Sequence, residues 1–545
     1  MRLERSRTLR SGIRWSYDLL DPETQRIFRR LAVFSGGGCL QAAGAAAQVD
    51  EMEVADALQM LAAHHLVRIQ ESHEGEPRFH ISEANRLFAL EELDREGERG
   101  DAQRRHAEWH LALAERGAAE LTGKRQLLWL DRLEAEHANF AAALDWAIAG
   151  EHAESAFGLA ANLWRLWLAR ARAREGYDAF ERVLRLPRES VSRGLLARTL
   201  NGYAMLAQNL GRNAAAKQAL AESLESWRES GDEAGLARAL NSLAWVHCEL
   251  CDLDEAKRLS REALVLHERT GDKRGAAVSW NNLAWIANYR ADGEAAREAG
   301  RKSLSLRRAA GDLRGEGFAL ACLAWTEQWS GEPKAAHKLL DEASRILLPV
   351  ADPTLLGWTL TVRALTLLDE GKLDEADEIV EKSLREWKRG GNLSGEAWVV
   401  CVRGAALLLR VQLREADAQL ERAAQIWRET GSGWGLAMAL GGRARALARR
   451  GSVAEAKLAL GESLALRRAV GDRRGQAHCI ETAAELAGAP SLAAQLLGVA
   501  ERIRDAIGAP ASIPDQRYRR DAGLVPAGEM QEREAFEAVK RIIQG

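Results

Sequence analysis

The sequence predicts an all-α solenoid built from helical hairpins of about forty residues, and two repeated breaks indicate it. A glycine and a helix-capping residue recur at forty-residue intervals, as Gly231-Asp232, Gly271-Asp272, Gly311-Asp312, Gly391-Asn392, Gly431-Ser432 and Gly471-Asp472, with Ala351-Asp352 in the one gap. About twenty residues later comes a second break, at Gly211, Cys251-Asp252, Ala291-Asp292-Gly293, Gly331, Gly371 and Gly451. Glycine tolerates the left-handed conformation that ends a helix, and Asp, Asn or Ser accepts a hydrogen bond from a free amide of the next helix. Each unit is therefore two helices, and the copies stack into a superhelix.

The second helix of each unit carries two small positions. Alanine occupies the first position in every copy, and alanine or serine occupies the second, seven residues later. The two sets are Ala216, Ala256, Ala296, Ala336, Ala376, Ala416 and Ala456, and Ser223, Ala263, Ser303, Ala343, Ser383, Ala423 and Ser463. Small side chains two turns apart on one face let neighbouring helices approach closely, so we expect helix contacts at these positions.

This pattern resembles the tetratricopeptide repeat, in its longer variety of about forty residues per copy. The resemblance covers the Leu-Ala pairs of the first helices (Leu243-Ala244, Leu283-Ala284 and Leu323-Ala324), the turn within the unit and the two small positions. The chain lacks the proline that usually ends this repeat and has the Gly-Asp turn in its place. The resemblance implies a right-handed superhelix whose first helices line a concave groove.

The same resemblance assigns candidate groove residues. It puts Asn201, Asn241 and Asn281 at the fifth consensus position, Trp245, Trp285 and Trp325 at the ninth, and Tyr289 and Trp329 at the thirteenth. An asparagine amide both donates and accepts hydrogen bonds, so a row of them can hold the backbone of an extended peptide, as in peptide-binding members of this repeat family. The alternative is structural: the indoles pack against adjacent repeats and the asparagines bridge helices, because burying one indole contributes about 5 kcal/mol.

Composition indicates a soluble helical protein without a metal site. The 545 residues include 76 basic and 79 acidic side chains, a formal charge of -3, so no polyanionic partner is required. The chain has no apolar run of about eighteen residues, and its first residues lack the apolar core of a signal peptide, so we expect a cytoplasmic protein that does not enter a membrane. The six cysteines contain one close pair, Cys248 and Cys251, without a partner pair for zinc, and we expect buried thiols and no cofactor.

The first 95 residues differ from the repeats. Two helices divided by Pro22 precede helices near residues 40–48 and 54–64, and strands follow at residues 66–70 and 78–81. Helices followed by a two-stranded wing predict a small winged helix. The segments 15–20, 28–37 and 78–90 resemble the winged helix of bacterial STAND regulators, the signal-transduction ATPases with numerous domains, and the likeness continues at residues 129–146 and 494–510.

In that family an ATPase switch precedes the winged helix, and the repeats sense an inducer or partner, often to control transcription. The present sequence resembles the carboxy-terminal sensor half. A phosphate-binding loop needs Gly, four residues, Gly-Lys and then Ser or Thr. The nearest string, from Gly117 to Arg125, has the wrong spacing and lacks the hydroxyl. We therefore expect no intrinsic catalysis, and an ATPase would be a separate module.

Direct DNA binding through the winged helix is disfavoured by charge. The candidate recognition helix, residues 51–65, carries three acidic residues and no Lys or Arg, so phosphates would repel it. Arginines at positions 2, 5, 7, 10 and 14 could touch a phosphate backbone, or they form the solvated face of the first helix.

The sequence thus predicts four segments: a winged helix at 1–95, a helical linker with irregular hairpins at 96–190, the repeat array at 191–488 and a helical cap at 489–545. The expected function is that of a non-catalytic sensor or scaffold. Its groove would bind a peptide, a protein segment or a small inducer. The alternatives are a transcription factor that binds DNA directly and an adaptor for an ATPase on another chain.

Overall fold

The computed structural model describes residues 2–71, 77–521, 523 and 525–544, and the described part of the chain is helical apart from one small sheet. It divides into two compact units. The first comprises Met1–Leu121, Leu127–Leu166 and Asp178–Leu195, and the second comprises Thr122–Gln126, Trp167–Tyr177 and Leu196–Gly545. The expected all-α class is confirmed, with a winged-helix domain and a helical-repeat solenoid. The four predicted segment boundaries stay a prediction.

The first unit begins with the winged helix. Its elements are α1 (Arg2–Asp18), α2 (Pro22–Leu31), β1 (Gly38–Cys39), α3 (Leu40–Ala47), α4 (Glu51–Ala63), β2 (Val67–Glu71), β3 (Pro77–Ile81) and α5 (Glu83–Arg95). The strands are antiparallel in the order β1-β3-β2, so a short third strand joins the predicted wing. Pro22 occupies the first turn of α2, and Asp21 caps it by accepting from the amide of Thr24. Buried Phe28, Phe34 and Phe79 lie in the core of this domain.

The charged groups of the winged helix are arranged as the sequence indicates. Glu51, Glu53 and Asp56 on α4 are exposed, so its outer face is acidic. Arg10 and Arg14 on α1 form ion pairs with Glu91 and Glu92 on α5. These two arginines therefore bind within the domain, whereas the side chains at positions 2, 5 and 7 lie outside the described residues.

Five helices follow the winged helix: α6 (Arg99–Glu120), α7 (Gln126–Ala135), α8 (His137–Ala149), α9 (Ala153–Ala169) and α10 (Ala173–Val183). Glu136, between α7 and α8, is buried and joins this region to the wing. Its carboxylate accepts from Arg78 Nη1 at 2.5 Å and from Asn139 Nδ2 at 2.6 Å. Burial raises the pKa of Glu136, but His110 and Arg78 outweigh burial and hold it below its usual value. A charged carboxylate is thus kept in the interior of the first unit.

The second unit contains the repeat array. Its helix pairs are α11 (Arg193–Asn209) and α12 (Asn213–Ser230), α13 (Glu233–Glu249) and α14 (Leu253–Thr270), α15 (Lys273–Arg290) and α16 (Gly293–Ala310), α17 (Leu313–Trp329) and α18 (Pro333–Val350), α19 (Pro353–Asp369) and α20 (Leu373–Gly390), α21 (Leu393–Leu409) and α22 (Leu413–Thr430), and α23 (Gly433–Arg450) and α24 (Val453–Val470). One more pair, α25 (Arg473–Leu486) and α26 (Pro490–Ile507), precedes α27 (Ile513–Asp521) and α28 (Glu532–Gln544). The predicted boundary at residue 488 falls in the turn between α25 and α26.

The predicted breaks between repeats are confirmed in atomic detail. The glycines at 231, 271, 311, 391, 431 and 471, and Ala351, all have positive φ. Asp232 Oδ1 accepts from the amide of Gly235 at 2.8 Å, and the Asp and Asn at the equivalent positions do the same. Ser432 is the exception and makes no such bond. Within the repeats Val411 also adopts positive φ, a break that lacks glycine and that the sequence did not indicate.

Both predicted small positions are contact points between helices. The seven alanines and the seven Ala or Ser residues that follow them are all 0% exposed. The four serines donate their hydroxyls across to the preceding first helix, as in Ser223 Oγ to the Ala197 carbonyl at 2.8 Å and Ser463 Oγ to the Ala437 carbonyl at 2.7 Å. Serine alternates with alanine, so this bond recurs in every second repeat.

A second glycine, unnoticed in the sequence, lies three residues after most of the capping residues. It makes room for the large residue eight positions earlier, at the end of the preceding helix. A Cβ at Gly395 would lie 2.0 Å from Cε3 of Trp387, and one at Gly435 would lie 2.4 Å from Cε2 of Trp427. Trp227, Trp387 and Trp427 are buried, which confirms that these late indoles pack.

The array also closes on itself within the second unit. Turns separated by 181 to 183 residues are joined by hydrogen bonds. Asn209 Nδ2 donates to the Gly390 carbonyl at 3.2 Å, and Asn392 Nδ2 donates to Asn209 Oδ1 at 3.0 Å. The amide of Trp434 donates to Cys251 Sγ at 2.8 Å. The inner faces of distant repeats are thereby brought together.

We predict that Gly395→Ala destabilises the array by about 1–3 kcal/mol, because the added methyl group would overlap the Trp387 ring. Gly100→Ala is the control, since Gly100 is an exposed helical glycine and a methyl group added there would have no atom within 4 Å. That change should stabilise its helix by up to about 1 kcal/mol. Urea unfolding followed by circular dichroism measures both, and equal midpoints for the two variants would contradict the packing role of Gly395.

We also predict that Glu136→Ala destabilises the first unit by about 3–5 kcal/mol, because it leaves the Arg78 guanidinium without its buried partner. Glu91→Ala removes an exposed ion pair with Arg10 and should cost about 1 kcal/mol or less. Thermal unfolding of the two variants provides the comparison. A Glu136 variant no less stable than the Glu91 variant would show that the buried carboxylate is dispensable.

Candidate ligand-binding cavity in the repeat array

The first helices of successive repeats bring their aromatic side chains into one interior cluster. This tryptophan cluster consists of Trp285, Trp325, Trp358, Trp398 and Trp434, one from each of α15, α17, α19, α21 and α23. Neighbouring ring centroids lie 4.9 to 5.8 Å apart. All five indoles are buried, and Trp325 at the centre is 1% exposed. The concave side of the array is therefore largely filled by its own side chains.

The three candidate asparagines lie inside the array. Asn241 is buried, and its Nδ2 donates to the Gly275 carbonyl at 3.0 Å while its Oδ1 accepts from Ser279 Oγ at 2.8 Å. Asn281 is buried and Asn201 is half-buried, and neither Oδ1 has a hydrogen-bond partner among the described residues. Asn241 thus bridges two neighbouring helices, which is the structural role that the sequence analysis gave as the alternative.

The candidate aromatic residues also make contacts within the array. Trp245 is half-buried and meets Trp285 edge-on at 5.3 Å, and Tyr289 stacks on Trp434 at 4.9 Å. Trp329 Nε1 donates to Asn288 Oδ1 at 2.7 Å. A ligand role for the eight candidates stays a prediction, and of them Trp325 and Trp329 border a cavity.

This cavity lies between α17, α19, α21, α23 and the helices from α25 to α27, and its volume is about 270 Å³. Part of its lining is apolar, and the indoles there are Trp325, Trp329, Trp398 and Trp434. Another part is polar. It contains Gln328, Asp369, Arg445, Arg467, Arg474, His478, Arg504, Ser512 and Asp515. We refer to this space as the central cavity.

Three of the four arginines of the central cavity are held by carboxylates. Arg445 Nη1 lies 2.9 Å from Asp515 Oδ1, Arg467 Nη1 lies 2.7 Å from Asp472 Oδ2, and Arg504 Nε lies 2.5 Å from Glu481 Oε1. Burial would raise the pKa of Glu481, but the surrounding guanidinium groups hold it well below its usual value. These three charges are compensated by the protein itself.

Arg474 differs from the other three. The structure shows neither an ion pair nor a hydrogen bond between its guanidinium and any described residue. Its Cζ lies 5.4 Å from the ring centroid of Trp329, a cation–π distance. Burial lowers the pKa of Arg474 to about 10, and the nearby carboxylates of Asp472 and Asp369 oppose that shift. The group therefore stays charged at neutral pH without a bonded counter-ion.

Asp369 borders the same cavity, and its pKa is raised towards neutral pH. Burial raises its pKa to about 7, whereas Gln328, whose Nε2 donates to Asp369 Oδ2 at 2.5 Å, favours the charged form. Burial and the charges of Arg445 and Arg467 hold the pKa of His478 well below its usual value, so its imidazole is neutral. The arrangement offers one unpaired cation, one carboxyl group that titrates near pH 7 and an aromatic wall, which suits a small ligand with an anionic group.

Sequence reasoning did not find Trp358, Trp398 and Trp434, nor the arginines of the cavity. A signal for Trp358 and Trp398 was present, since both follow Phe318 at forty-residue spacing. Arg474 shares its register with Arg274 and Arg314, and Arg467 shares its register with Arg307. Trp434, Arg445 and Arg504 have no such signal, and whether these side chains meet depends on how the array coils.

Comparison with known proteins agrees with this architecture. Residues 195–269 match the tetratricopeptide repeat family, and residues 20–94 match the winged helix-turn-helix domain family. Neither of the two is an enzyme family. Among the described residues, no helix has the length and apolar character needed to cross a bilayer, and no group of three His, Cys, Asp or Glu side chains is placed to hold a metal ion.

Curated relatives include proteins named as HTH-type transcriptional regulators from Mycobacterium tuberculosis (strain ATCC 25618 / H37Rv) and Mycobacterium bovis (strain ATCC BAA-935 / AF2122/97). Each is 35% identical over 237 residues, which are 41% of this chain and 26% of the relative. The chain therefore spans about a quarter of the length of the curated relatives it matches.

Two solved structures show a helical-repeat likeness. A Rap protein complexed with competence and sporulation factor has a TM-score of 0.51 and 12% identity, covering 66% of this chain and 98% of that chain. A STAND protein with a tetratricopeptide repeat sensor from Pyrococcus horikoshii has a TM-score of 0.43 and 16% identity, covering 83% of this chain and 64% of that chain, a likeness too loose to support an argument. The chain thus carries an amino-terminal winged helix-turn-helix domain and a tetratricopeptide-repeat array.

Proposed function

We propose that this chain is the non-catalytic sensor of a transcription-regulatory system and that its repeat array binds a small effector in the central cavity. The observation that carries the proposal is the cavity itself, where an aromatic wall faces an arginine without a bonded counter-ion. A charged group in a partly buried site is stabilised by an anion, so the cavity is suited to a ligand. The named regulator relatives support the transcriptional context.

The filled interior of the array favours a small inducer over the peptide and protein ligands that the sequence also allowed. The five indoles of the tryptophan cluster are buried against one another. An extended peptide along the concave side would have to displace the tryptophan cluster, at a cost of about 5 kcal/mol for each exposed indole. A compact effector needs no such rearrangement.

We further propose that the effector acts on a STAND-type nucleotide-binding module, on the same or another chain. The resemblance of residues 15–20, 28–37 and 129–146 to that class supports this step. Direct DNA binding by the winged helix is the weaker candidate, since exposed Glu51, Glu53 and Asp56 on α4 would repel phosphates.

The test measures whether an effector raises the thermal midpoint of the chain and whether filling the cavity abolishes that rise. We expect the low-molecular-mass fraction of a cell extract to raise the thermal midpoint of the chain, because a ligand at about 100 times its Kd stabilises by about 2.7 kcal/mol. Ala405→Phe places a ring in the cavity, which Ala405 borders, and should abolish the response. Ala418→Phe, at an exposed position of α22, is the matched control and should retain it.

A response confined to the macromolecular fraction would overturn the proposal. So would a response that Ala405→Phe leaves intact. Circular dichroism of the unliganded variants verifies that both still fold.

A further inference from the structure

The unpaired arginine specifies the charge of the ligand. Arg445, Arg467 and Arg504 each lie within 2.9 Å of a carboxylate oxygen, whereas no described carboxylate pairs with Arg474. Arg474 is half-buried, and carboxylates and phosphates match the planar geometry of a guanidinium group. Its charge is therefore available to an anionic ligand in the cavity.

The surroundings of Arg474 favour a single negative charge over two. Asp369 and Asp515 border the same space, and a second ligand charge would face their carboxylates without another unpaired cation to offset it. An aliphatic or aromatic carboxylate carries one charge at neutral pH, while a phosphate monoester carries nearly two. The charges that line the cavity therefore favour a carboxylate over a phosphate monoester.

The tryptophans of the cavity specify the body of the ligand. Trp325, Trp329, Trp398 and Trp434 border the cavity together with leucine side chains. Indole rings pack well on other aromatic rings in stacked or edge-on geometry, as they do on one another in this array. A flat ring has few rotatable bonds, so it packs in such a space with little loss of conformational entropy.

We propose that the central cavity binds a small aromatic carboxylate, whose carboxylate pairs with Arg474 while its ring packs on the tryptophan wall. This inference rests on the proposed effector site and names the chemical class of its ligand. Arg474 acts as the charge-recognition residue, and the tryptophans select the ring.

The test uses benzoate, phenylacetate and 3-phenylpropionate, with the corresponding neutral amides and inorganic phosphate, in titrations followed by tryptophan fluorescence and calorimetry. We expect at least one carboxylate to bind about tenfold or more tightly than its amide, since a charge-assisted pair is lost in the amide. Arg474→Gln should raise the Kd of the carboxylate by a similar factor and leave the Kd of the amide unchanged. Arg473→Gln, next in sequence but paired with Glu532, is the matched control and should bind as the wild type does.

Arg474→Gln also has a readout that needs no ligand. If its guanidinium is uncompensated, removing it should leave the unliganded thermal midpoint unchanged or raised, while Arg473→Gln should lower it slightly. A marked loss of stability in Arg474→Gln would show that Arg474 serves the fold, and would overturn the inference.

The pH dependence of binding gives an independent check. Asp369 titrates near pH 7 and is surrounded by Gln328, Asp515, Arg474 and Arg504. Its pKa is raised in the folded protein, so it is neutral below pH 7 and becomes charged as the pH rises, when it repels a bound anion. The Kd for the carboxylate should therefore increase severalfold from pH 6 to pH 8, and Asp369→Asn should flatten this dependence.

The outcomes separate the two proposals. If carboxylates and amides bind equally, the carboxylate assignment is wrong and the effector site stands. The same conclusion holds if none of these probes binds, but a cell-extract fraction stabilises the wild type and not Ala405→Phe. If no probe binds and no extract fraction produces a response, both are wrong.

Discussion

Close approach of neighbouring helices at the repeated small positions is the constraint on which the array depends. The seven alanines from Ala216 to Ala456 are fully enclosed, and a larger side chain there would push each hairpin apart. Because the contact is the same in every copy, each repeat is rotated against the last by a similar step. The accumulated rotation brings turns about 180 residues apart into hydrogen-bonding distance.

That coiling explains why the interior contains tryptophan. In a wide superhelix, first-helix residues line an open groove, but here the inner faces of α15, α17, α19, α21 and α23 meet. The indoles fill the space, and each buried ring contributes about 5 kcal/mol that exposure to water would forgo. The concave surface of this array is thus a core for most of its length.

The apolar core is interrupted at the central cavity, where α25, α26 and α27 contribute charged side chains as well as apolar ones. Here the interior contains ion pairs around Glu481 and the separate guanidinium of Arg474. Buried charges cost free energy unless they are compensated, so proteins retain them chiefly where they specify a geometry or bind a ligand. These charged side chains distinguish this part of the array from the apolar core around the tryptophan cluster.

The sequence by itself determined the local features of this protein. The Gly-Asp turns, the helical hairpins, the small contact positions and the winged helix are each encoded within a few residues, since capping, positive φ and helix periodicity are short-range properties. Even the packing of Trp227 and Trp387 could be inferred from their place late in a helix.

Only the tertiary structure decided what the inner residues do. Asn241 and Trp285 have the spacing of groove residues in the sequence, but the coiling of the array turns them into a helix bridge and a core ring. Trp329 and Asp369 occupy equivalent positions forty residues apart, but Arg474 lies elsewhere in its repeat, and no periodic signal connects it with them. The physical reason is that small rotations between repeats add up along the chain. Their sum, which no single repeat encodes, sets the width of the interior and the position of the central cavity.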